Sequence, residues 1–186
     1  MFTRAGIVGR PNVGKSTLFN CLLGRTRAIV GDFAGVTRDY KEELLELKNH
    51  QIKLIDTAGL KSSLITEQDK IINRHTLNLI NRLDVILFVL DGREGITHED
   101  REIFQVCRKL DKLTILVVNK VETIAIEQTF LQEDTSFFGL TNIIFVSSEH
   151  RIGIENVINA LEDICEKNGL VSLKKENINN EKKPIN

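Results

Sequence analysis

The chain has little of what marks membrane, secreted or zinc-binding proteins. Its longest uninterrupted apolar run, residues 85–90, is far too short to cross a bilayer. Its first residues lack the apolar core and the cleavage site of a signal peptide. Its three cysteines cannot all pair with one another, and neither they nor the four histidines have the spacing of metal ligands. We therefore expect a cytoplasmic protein with reduced thiols and no membrane association.

Strong net charge is also missing. The chain carries 25 basic and 26 acidic residues, which gives a formal net charge of −1. It therefore has no chain-wide field that would attract nucleic acid, and only a local patch could do so. We expect no DNA partner. A hydrophobic content of 41% in 186 residues suits one globular domain with a real core.

Residues 9–16, GRPNVGKS, fit the phosphate-binding loop pattern G-x-x-x-x-G-K-S/T. Gly14 lets the backbone come close to a polyphosphate, and successive N–H groups then form a concavity that binds anions. Lys15 can reach the β- and γ-phosphates, and the Ser16 hydroxyl can bind Mg²⁺. An apolar strand precedes the loop and a helix is predicted over 16–23, so that the N-terminus of this helix faces the phosphates.

Strand-like and helix-like segments alternate along the chain, which predicts an α/β fold with a mostly parallel sheet and helices on both faces. Two of the strands are almost wholly apolar, as strands covered on both faces are. Thr97 and Asp100 form a candidate capping box at the start of one helix. The predicted strands cover residues 5–8, 42–48, 52–55, 85–90, 113–118 and 142–146.

Further signals lie in loops or where predicted strands end, which is where open α/β sheets bind ligands. DTAGL at 56–60 directly follows a strand. Its Asp56 can hold Mg²⁺ through a water molecule, and the Gly59 N–H can meet a γ-phosphate. The loop GDFAGVTRD at 31–39 contains Thr37, which offers a second hydroxyl to Mg²⁺.

NKVE at 119–122 and SSE at 147–149 follow the last two predicted strands. Asn119 can bond a purine edge, Lys120 can cover the base, and a backbone N–H of the second motif can meet a base carbonyl. The Glu122 carboxylate can accept from two N–H donors, a pair that guanine offers and adenine does not. Each motif alone is also compatible with an ordinary turn. All of them follow a phosphate loop in suitable settings, however, and this order favours a guanine-nucleotide site.

With these motifs the chain resembles translation-factor-class GTPases, and above all the N-terminal G domain of the Der (EngA) family of bacterial ribosome-assembly proteins. The resemblance is carried by GRPNVGKSTLFN, RAIVGDFAGVTRD, DTAGL, DVILFVLDGREGIT, VVNK and VSSEHRIGI, and it runs from about residue 4 to residue 165. The relatives TrmE and Era share the phosphate loop. The resemblance implies a Ras-like G domain over 1–170, with a six-stranded sheet that has one antiparallel strand near an edge. It also implies two switches, at about 25–40 and 57–75, that the γ-phosphate holds.

Roles for individual residues also follow from the resemblance. The expected catalytic residues are Lys15, Thr37 and Gly59. Mg²⁺ would be bound by Ser16 and Thr37, and Asp56 would contact it through a water molecule. The residues expected to contact GTP or GDP are Gly9, Arg10, Pro11, Asn12, Val13, Gly14, Lys15, Ser16, Thr17, Asp56, Thr57, Ala58, Gly59, Leu60, Asn119, Lys120, Val121, Glu122, Ser147 and Ser148.

Glu122 departs from the family pattern NKxD, which has an aspartate at this position. Because the extra methylene shifts the carboxylate, guanine specificity should survive with an affinity weakened by about 1–2 kcal/mol, as for an imperfectly placed charged hydrogen bond. We predict that Glu122→Asp tightens GDP binding. Calorimetric titration of both proteins checks this, and equal or weaker binding by the variant would contradict it.

Leu60 stands where Ras-like enzymes carry the glutamine that orients the attacking water, and a leucine cannot do so. The family as a whole has a hydrophobic residue here, so another group must stabilise the transition state. Relatives with an asparagine at the position of Asn12 bind potassium beside the phosphates, where it acts like an arginine finger worth roughly 10³–10⁵ in rate. We interpret Asn12 as a potassium ligand; the alternative is that it only shapes the loop.

The family protein continues into a second G domain and a KH-like domain, and nothing after Lys174 resembles either. Residues 171–186 are polar and rich in asparagine, which predicts a tail or linker. We therefore expect an excised domain, a truncated gene product or a reduced relative. Binding to the ribosome or to ribosomal RNA would then come through the missing parts.

Three functions are compatible with the sequence. The leading one is a slow, potassium-stimulated GTP hydrolase that acts as a switch in assembly of the large ribosomal subunit. The second is a guanine-nucleotide-sensing module without hydrolysis, and single-turnover phosphate release separates these two. The third, a P-loop kinase or ATPase, would not need the motifs at 119–122 and 147–149, and equal competition by ATP would favour it.

Overall fold

The computed structural model describes residues 2–25, 40–61, 67–140 and 142–170. Strands and helices alternate along these ranges, as the sequence predicts. The strands are β1 (Arg4–Val8), β2 (Tyr40–Glu46), β3 (Gln51–Thr57), β4 (Val85–Asp91), β5 (Leu113–Asn119) and β6 (Ile143–Phe145). The α-helices are α1 (Lys15–Arg25), α2 (Glu67–Ile80), α3 (His98–Arg108), α4 (Ile124–Phe130) and α5 (Ile154–Lys167), and a short 3₁₀ helix covers Ser136–Phe138.

The strands form one six-stranded sheet in the order β2-β3-β1-β4-β5-β6. All neighbours pair in parallel except β2 and β3, which form an antiparallel hairpin at one edge. The hairpin closes through a bond from the Leu47 N–H to the His50 carbonyl, 2.8 Å long. The predicted mostly parallel sheet with one antiparallel edge strand is therefore confirmed.

The central strand β4 explains why the sheet is covered on both faces. Every residue of VILFVLD is buried. Leu87 and Val89 pack into a core on the side of α1 and α5, whereas Ile86 and Phe88 pack into a second core on the side of α2, α3 and α4. Successive side chains of a strand point to opposite faces, so this apolar run supplies both cores at once.

Helix α3 begins with the predicted capping box. The Asp100 N–H donates to the Thr97 hydroxyl, and the Thr97 N–H donates back to the Asp100 carboxylate at 3.0 Å. These two bonds satisfy backbone donors that the first helical turn leaves open. The box therefore fixes the start of α3, and with it the position of the buried Asp100 carboxylate, beside the loop that follows β4.

The three cysteines are free and buried. Burial raises the pKa of the Cys107 thiol to about 12 and that of Cys165 to about 11, because the charged thiolate is disfavoured away from water. Thiols in this state are inert packing groups. Among the helices of the described ranges, none combines the length and the apolar character that crossing a bilayer requires.

Candidate nucleotide site

The predicted site motifs meet at one edge of the sheet. In the parallel ladders, Ile7 pairs with Asp56 and Asp91 pairs with Asn119. Because these strands are parallel, the carboxyl ends of β1, β3, β4 and β5 lie at the same edge of the sheet, where the loops that follow them converge. This is the edge at which doubly wound α/β sheets bind ligands.

The phosphate loop connects β1 to α1 and contains residues with positive φ. Gly14 has a φ of +92°, a region that glycine enters without strain. Asn12 has a φ of +67° and is exposed. The first helical bond runs from the Leu18 N–H to the Gly14 carbonyl at 2.9 Å. The helix thus begins within the loop, and its open N–H groups form an anion-binding end.

Lys15 is held inside this loop. Its ammonium donates to the Arg10 carbonyl at 2.8 Å, and only 7% of the residue is exposed. Burial lowers its pKa to about 8, and the attraction of Asp56 offsets part of this. A cation that is destabilised by burial gains strongly from an anionic ligand beside it, which is what a phosphate would provide.

The DTAGL segment packs directly on the phosphate loop. The Leu60 N–H donates to the Gly9 carbonyl at 3.2 Å. A methyl group added at Gly59 would lie 2.8 Å from backbone atoms of Pro11, so only glycine allows this approach. Asp56, at the end of β3, is 8% exposed, and its buried Oδ1 has no hydrogen-bond partner among the described residues. Buried polar atoms are satisfied by hydrogen bonds, so this oxygen is available to a water molecule or an ion.

Asn119 connects the phosphate loop to the motif at 147–149. Its side-chain NH₂ donates to the Val13 carbonyl at 2.9 Å, and its side-chain oxygen accepts from the Ser148 N–H at 3.0 Å. The residue is 2% exposed. One buried amide therefore sets the distance between the phosphate loop and the motif that is predicted to read the base.

Ion pairs hold the other residues that are predicted to read the base. Lys120 has its ammonium 2.6 Å from an oxygen of the buried Asp91. The Glu122 carboxylate pairs with Arg93 at 3.0 Å, and the Ser147 hydroxyl lies 3.5 Å from it. These groups surround a cavity of about 300 Å³. It is lined by Gly14, Thr17, Arg93, Asn119, Lys120, Glu122, Ser147, Ser148 and Glu149.

Arg10 turns its guanidinium toward α3. Its Nε lies 3.2 Å from the carboxylate of Asp100, which is fully buried, and its Nη2 lies 2.7 Å from the exposed Glu94. Burial by itself would lower the pKa of the guanidinium, but the two carboxylates together outweigh it and raise this pKa above its ordinary value. The phosphate loop is thus anchored by a charged side chain that its motif does not specify.

Several predicted contact residues can reach a nucleotide only through their backbone. The Thr57 hydroxyl donates to the Ile7 carbonyl at 2.7 Å, and Arg10 is engaged as described above. Thr37 lies outside the described residues, as do 26–39 of the first predicted switch and 62–66 of the second. Three predicted contact residues bury their side chains in the core, namely Val13, Leu60 and Val121.

Arg93, Asp91 and Asp100 were not among the predicted site residues. The signal for them is the dense run of charges in DGREGITHED directly after a buried strand. Charges at that position lie at the ligand-binding edge of the sheet and need partners.

This sheet order, with a phosphate loop joined by an asparagine amide to the motif at 147–149, is that of a P-loop GTPase domain. The family described as 50S ribosome-binding GTPase matches residues 4–120, and the chain belongs to that family. GTPase Der of Thermosipho melanesiensis is 37% identical over 170 residues, which cover 86% of this chain and 39% of that protein. This similarity confirms the resemblance to the Der family, and the chain spans less than half the length of this relative.

Solved structures agree with this assignment. An Era variant of Aquifex aeolicus bound to GDP and aluminium fluoride superposes with a TM-score of 0.73 at 29% identity, over 88% of this chain and 57% of that one. Era in complex with MgGDPNP and nucleotides 1506–1542 of 16S ribosomal RNA superposes with a TM-score of 0.69 at 30% identity, over 87% and 56% of the two chains.

Proposed function

We propose that this chain binds GTP and GDP, hydrolyses GTP, and acts as a nucleotide-dependent switch in ribosome assembly. The observation that carries the proposal is the Asn119 amide, which joins the phosphate loop to the base-reading end. A site that binds only phosphate needs no such connection. A nucleoside di- or triphosphate, in contrast, must meet both halves at a set spacing.

The phosphate-binding half suits a polyphosphate in shape and charge. The backbone of residues 9–16 would surround the α- and β-phosphates, and Lys15 would exchange the Arg10 carbonyl for phosphate oxygens. Ser16 and Thr17 are exposed at the first turn of α1, where an anion meets the helix N-terminus. The loop therefore binds, orients and neutralises the chain of phosphates.

The base-reading half favours guanine over adenine. A carboxylate at Glu122 accepts from the ring N–H and the amino group of guanine, whereas it would face an acceptor nitrogen in adenine. Lys120 would cover the base, and Asp91 keeps its ammonium in place. Ser147 and Ser148 border the same cavity.

The donor set also fits Mg²⁺. Hydroxyl and carboxylate oxygens are the ligands that this ion takes, usually with several retained waters. Ser16 and Thr37 would hold it, and the unpartnered Oδ1 of Asp56 would hold one of its waters. When bound, Mg²⁺ neutralises charge on the β- and γ-phosphates. Asn12 offers an exposed side-chain oxygen beside the same loop for K⁺.

Hydrolysis would proceed by attack of water on the γ-phosphate. The Gly59 N–H would meet a γ-phosphate oxygen, and its contact with Pro11 already places it against the phosphate loop. Leu60 has a buried side chain that cannot orient water. Catalysis would then depend on positioning and charge, with Lys15 and a bound monovalent cation stabilising the transition state.

The partner would be the ribosome or its RNA. The family name and the RNA held by the Era structure support this choice, although both describe relatives. Buried, reduced thiols suit a cytoplasmic setting. Parts of a longer protein that this chain does not contain would supply much of that contact.

The test is GTP turnover with Mg²⁺ in potassium and in sodium at equal ionic strength. We expect turnover to be about tenfold or more faster in potassium, because a cation at Asn12 would act as an arginine finger does. Asn12→Ala should remove this difference, whereas Asn20→Ala, on the exposed face of α1, should keep it.

The other outcomes separate the alternatives. Undiminished potassium stimulation of Asn12→Ala would refute the ligand role of Asn12. GTP binding without turnover in either salt would favour the nucleotide-sensing module. Competition by ATP as effective as that by GTP would overturn the assignment to guanine.

A further inference from the structure

The guanine-reading carboxylate is paired with an arginine of the neighbouring loop. The Nε of Arg93 donates to Glu122 Oε2 at 3.1 Å, and its Nη2 lies 3.0 Å from Oε1. The two planar groups therefore meet edge to edge, which is the strongest arrangement for this pair. The Glu122 side chain is 16% exposed and that of Arg93 is 53% exposed, so the guanidinium covers the carboxylate from the solvent side.

This edge of the carboxylate cannot serve two partners at once. Guanine presents a ring N–H and an amino N–H side by side, which is the donor arrangement that Arg93 presents. Each pair takes both oxygens of one carboxylate from the same side. Glu122 can therefore bind either Arg93 or the base through this edge.

Arg93 is directed to this position by its own loop. Its backbone N–H donates to one oxygen of Asp91 at 3.0 Å, and the other oxygen lies 2.6 Å from Lys120. Asp91 is 1% exposed, and the Gly92 N–H donates to the Asn119 carbonyl at 2.7 Å. The loop after β4 is thus fixed to the motif at 119–122 and places the Arg93 guanidinium beside the cavity.

We propose that Arg93 is a latch on the guanine-reading site, which pairs with Glu122 in the nucleotide-free chain and is displaced by the base. The inference rests on the proposed guanine binding and adds a specificity-determining residue to it. The length of Glu122 is essential to the latch. An aspartate would withdraw the carboxylate by about 1.5 Å, one carbon–carbon bond, and the contact at 3.0 Å would break.

The latch predicts a gain of affinity from the loss of a positive charge. Removing Arg93 leaves both Glu122 oxygens open to the base, so R93A should bind GDP roughly three- to tenfold more tightly. IDP lacks the amino group and needs only one oxygen, so its gain should be smaller. In general, loss of a cation weakens binding of an anion, so charge alone does not account for a gain.

Calorimetric titration of the nucleotide-free chain with GDP and IDP tests this. The set comprises the wild type, R93A, E122D and the double variant, with R108A as the control that removes an exposed arginine from the last turn of α3. We expect R93A to change GDP affinity less than about twofold in the E122D background, where the latch is already open. R108A should not gain affinity.

A second readout does not depend on affinity. In ¹⁵N-arginine-labelled chain, the Arg93 Nε–H signal should move on addition of GDP, and in nucleotide-free E122D it should already lie near the GDP-bound position. Equal or weaker GDP binding by R93A, with the wild type binding GDP, would overturn the latch alone. A wild type that binds no GDP would overturn the latch and the proposed function together.

Discussion

Gly14→Ala should reduce GDP affinity about 100-fold or more, because a methyl group at this position collides with the asparagine that joins the two halves of the site. The added Cβ would overlap the side-chain nitrogen of Asn119. That nitrogen donates to the Val13 carbonyl, and the same amide accepts from the Ser148 N–H. The alanine and Asn119 cannot both keep their places.

The size of the effect follows from two losses. A residue with a side chain at a φ of +92° is strained by about 1–3 kcal/mol, and a displaced buried amide leaves polar groups unpaired at roughly 1–3 kcal/mol. The arrangement that binds nucleotide becomes a minor state, and the apparent affinity falls with its population.

Calorimetric titration with GDP measures this, and far-ultraviolet circular dichroism shows that the variant is folded. Gly139→Ala is the matched control, since Gly139 also has a positive φ, of +62°, but no atom of the described residues lies within 4 Å of an added methyl group. It should bind GDP as the wild type does. Binding by Gly14→Ala within about threefold of the wild type would contradict the tight coupling of the loops.

Asp100→Ala should lower the free energy of unfolding by about 3 kcal/mol, because it leaves a buried guanidinium without its buried partner. Asp100 is fully buried and lies 3.2 Å from Arg10, which is 8% exposed. The same carboxylate accepts from the backbone and hydroxyl of Thr97, so the side-chain half of the capping box is lost as well. Among the residues that the structure describes, only the exposed Glu94 would remain to pair with the arginine.

Urea unfolding measures this difference in free energy, with the slope of the unfolding free energy against urea concentration expected to be the same for both proteins. Asp100→Asn keeps acceptors for Thr97 but removes the charge, so it should fall between the wild type and the alanine variant. Asp163→Ala is the control for an exposed ion pair, since the Asp163 side chain is 64% exposed and its carboxylate lies 3.8 Å from the Lys167 ammonium. It should cost less than about 0.5 kcal/mol. A loss below about 1 kcal/mol for Asp100→Ala would show that the Arg10 pair is solvated.

Much of the fold follows from local patterns. The apolar runs of β4 and β5 and the alternation of strands and helices predict the sheet, and the capping box at Thr97 predicts where α3 begins. β4 and β5 end one residue later than predicted, at Asp91 and Asn119, because hydrogen bonding continues past the last apolar side chain. β2 and β6 instead end one or two residues earlier than predicted. Helix α4 has seven residues, too few for its period to stand out.

The site motifs were also visible in the sequence, but their connections were not. Arg10 and Asp100 are 90 positions apart, and neither periodicity nor spacing indicates that they pair. The same holds for Arg93 and Glu122, which the fold brings together across the ends of β4 and β5. Such contacts depend on the order of strands in the sheet, which local patterns do not set.

The two edge strands of the sheet also influence how this domain behaves at high concentration. One edge strand, β2, carries charges of both signs, at Lys41, Glu42, Glu43 and Glu46. The other edge strand, β6, is only three residues long. Charged or very short outer strands resist pairing with strands of another molecule. Fibrillar self-association through either edge strand is therefore disfavoured, so molecules of this domain can stay separate at high concentration.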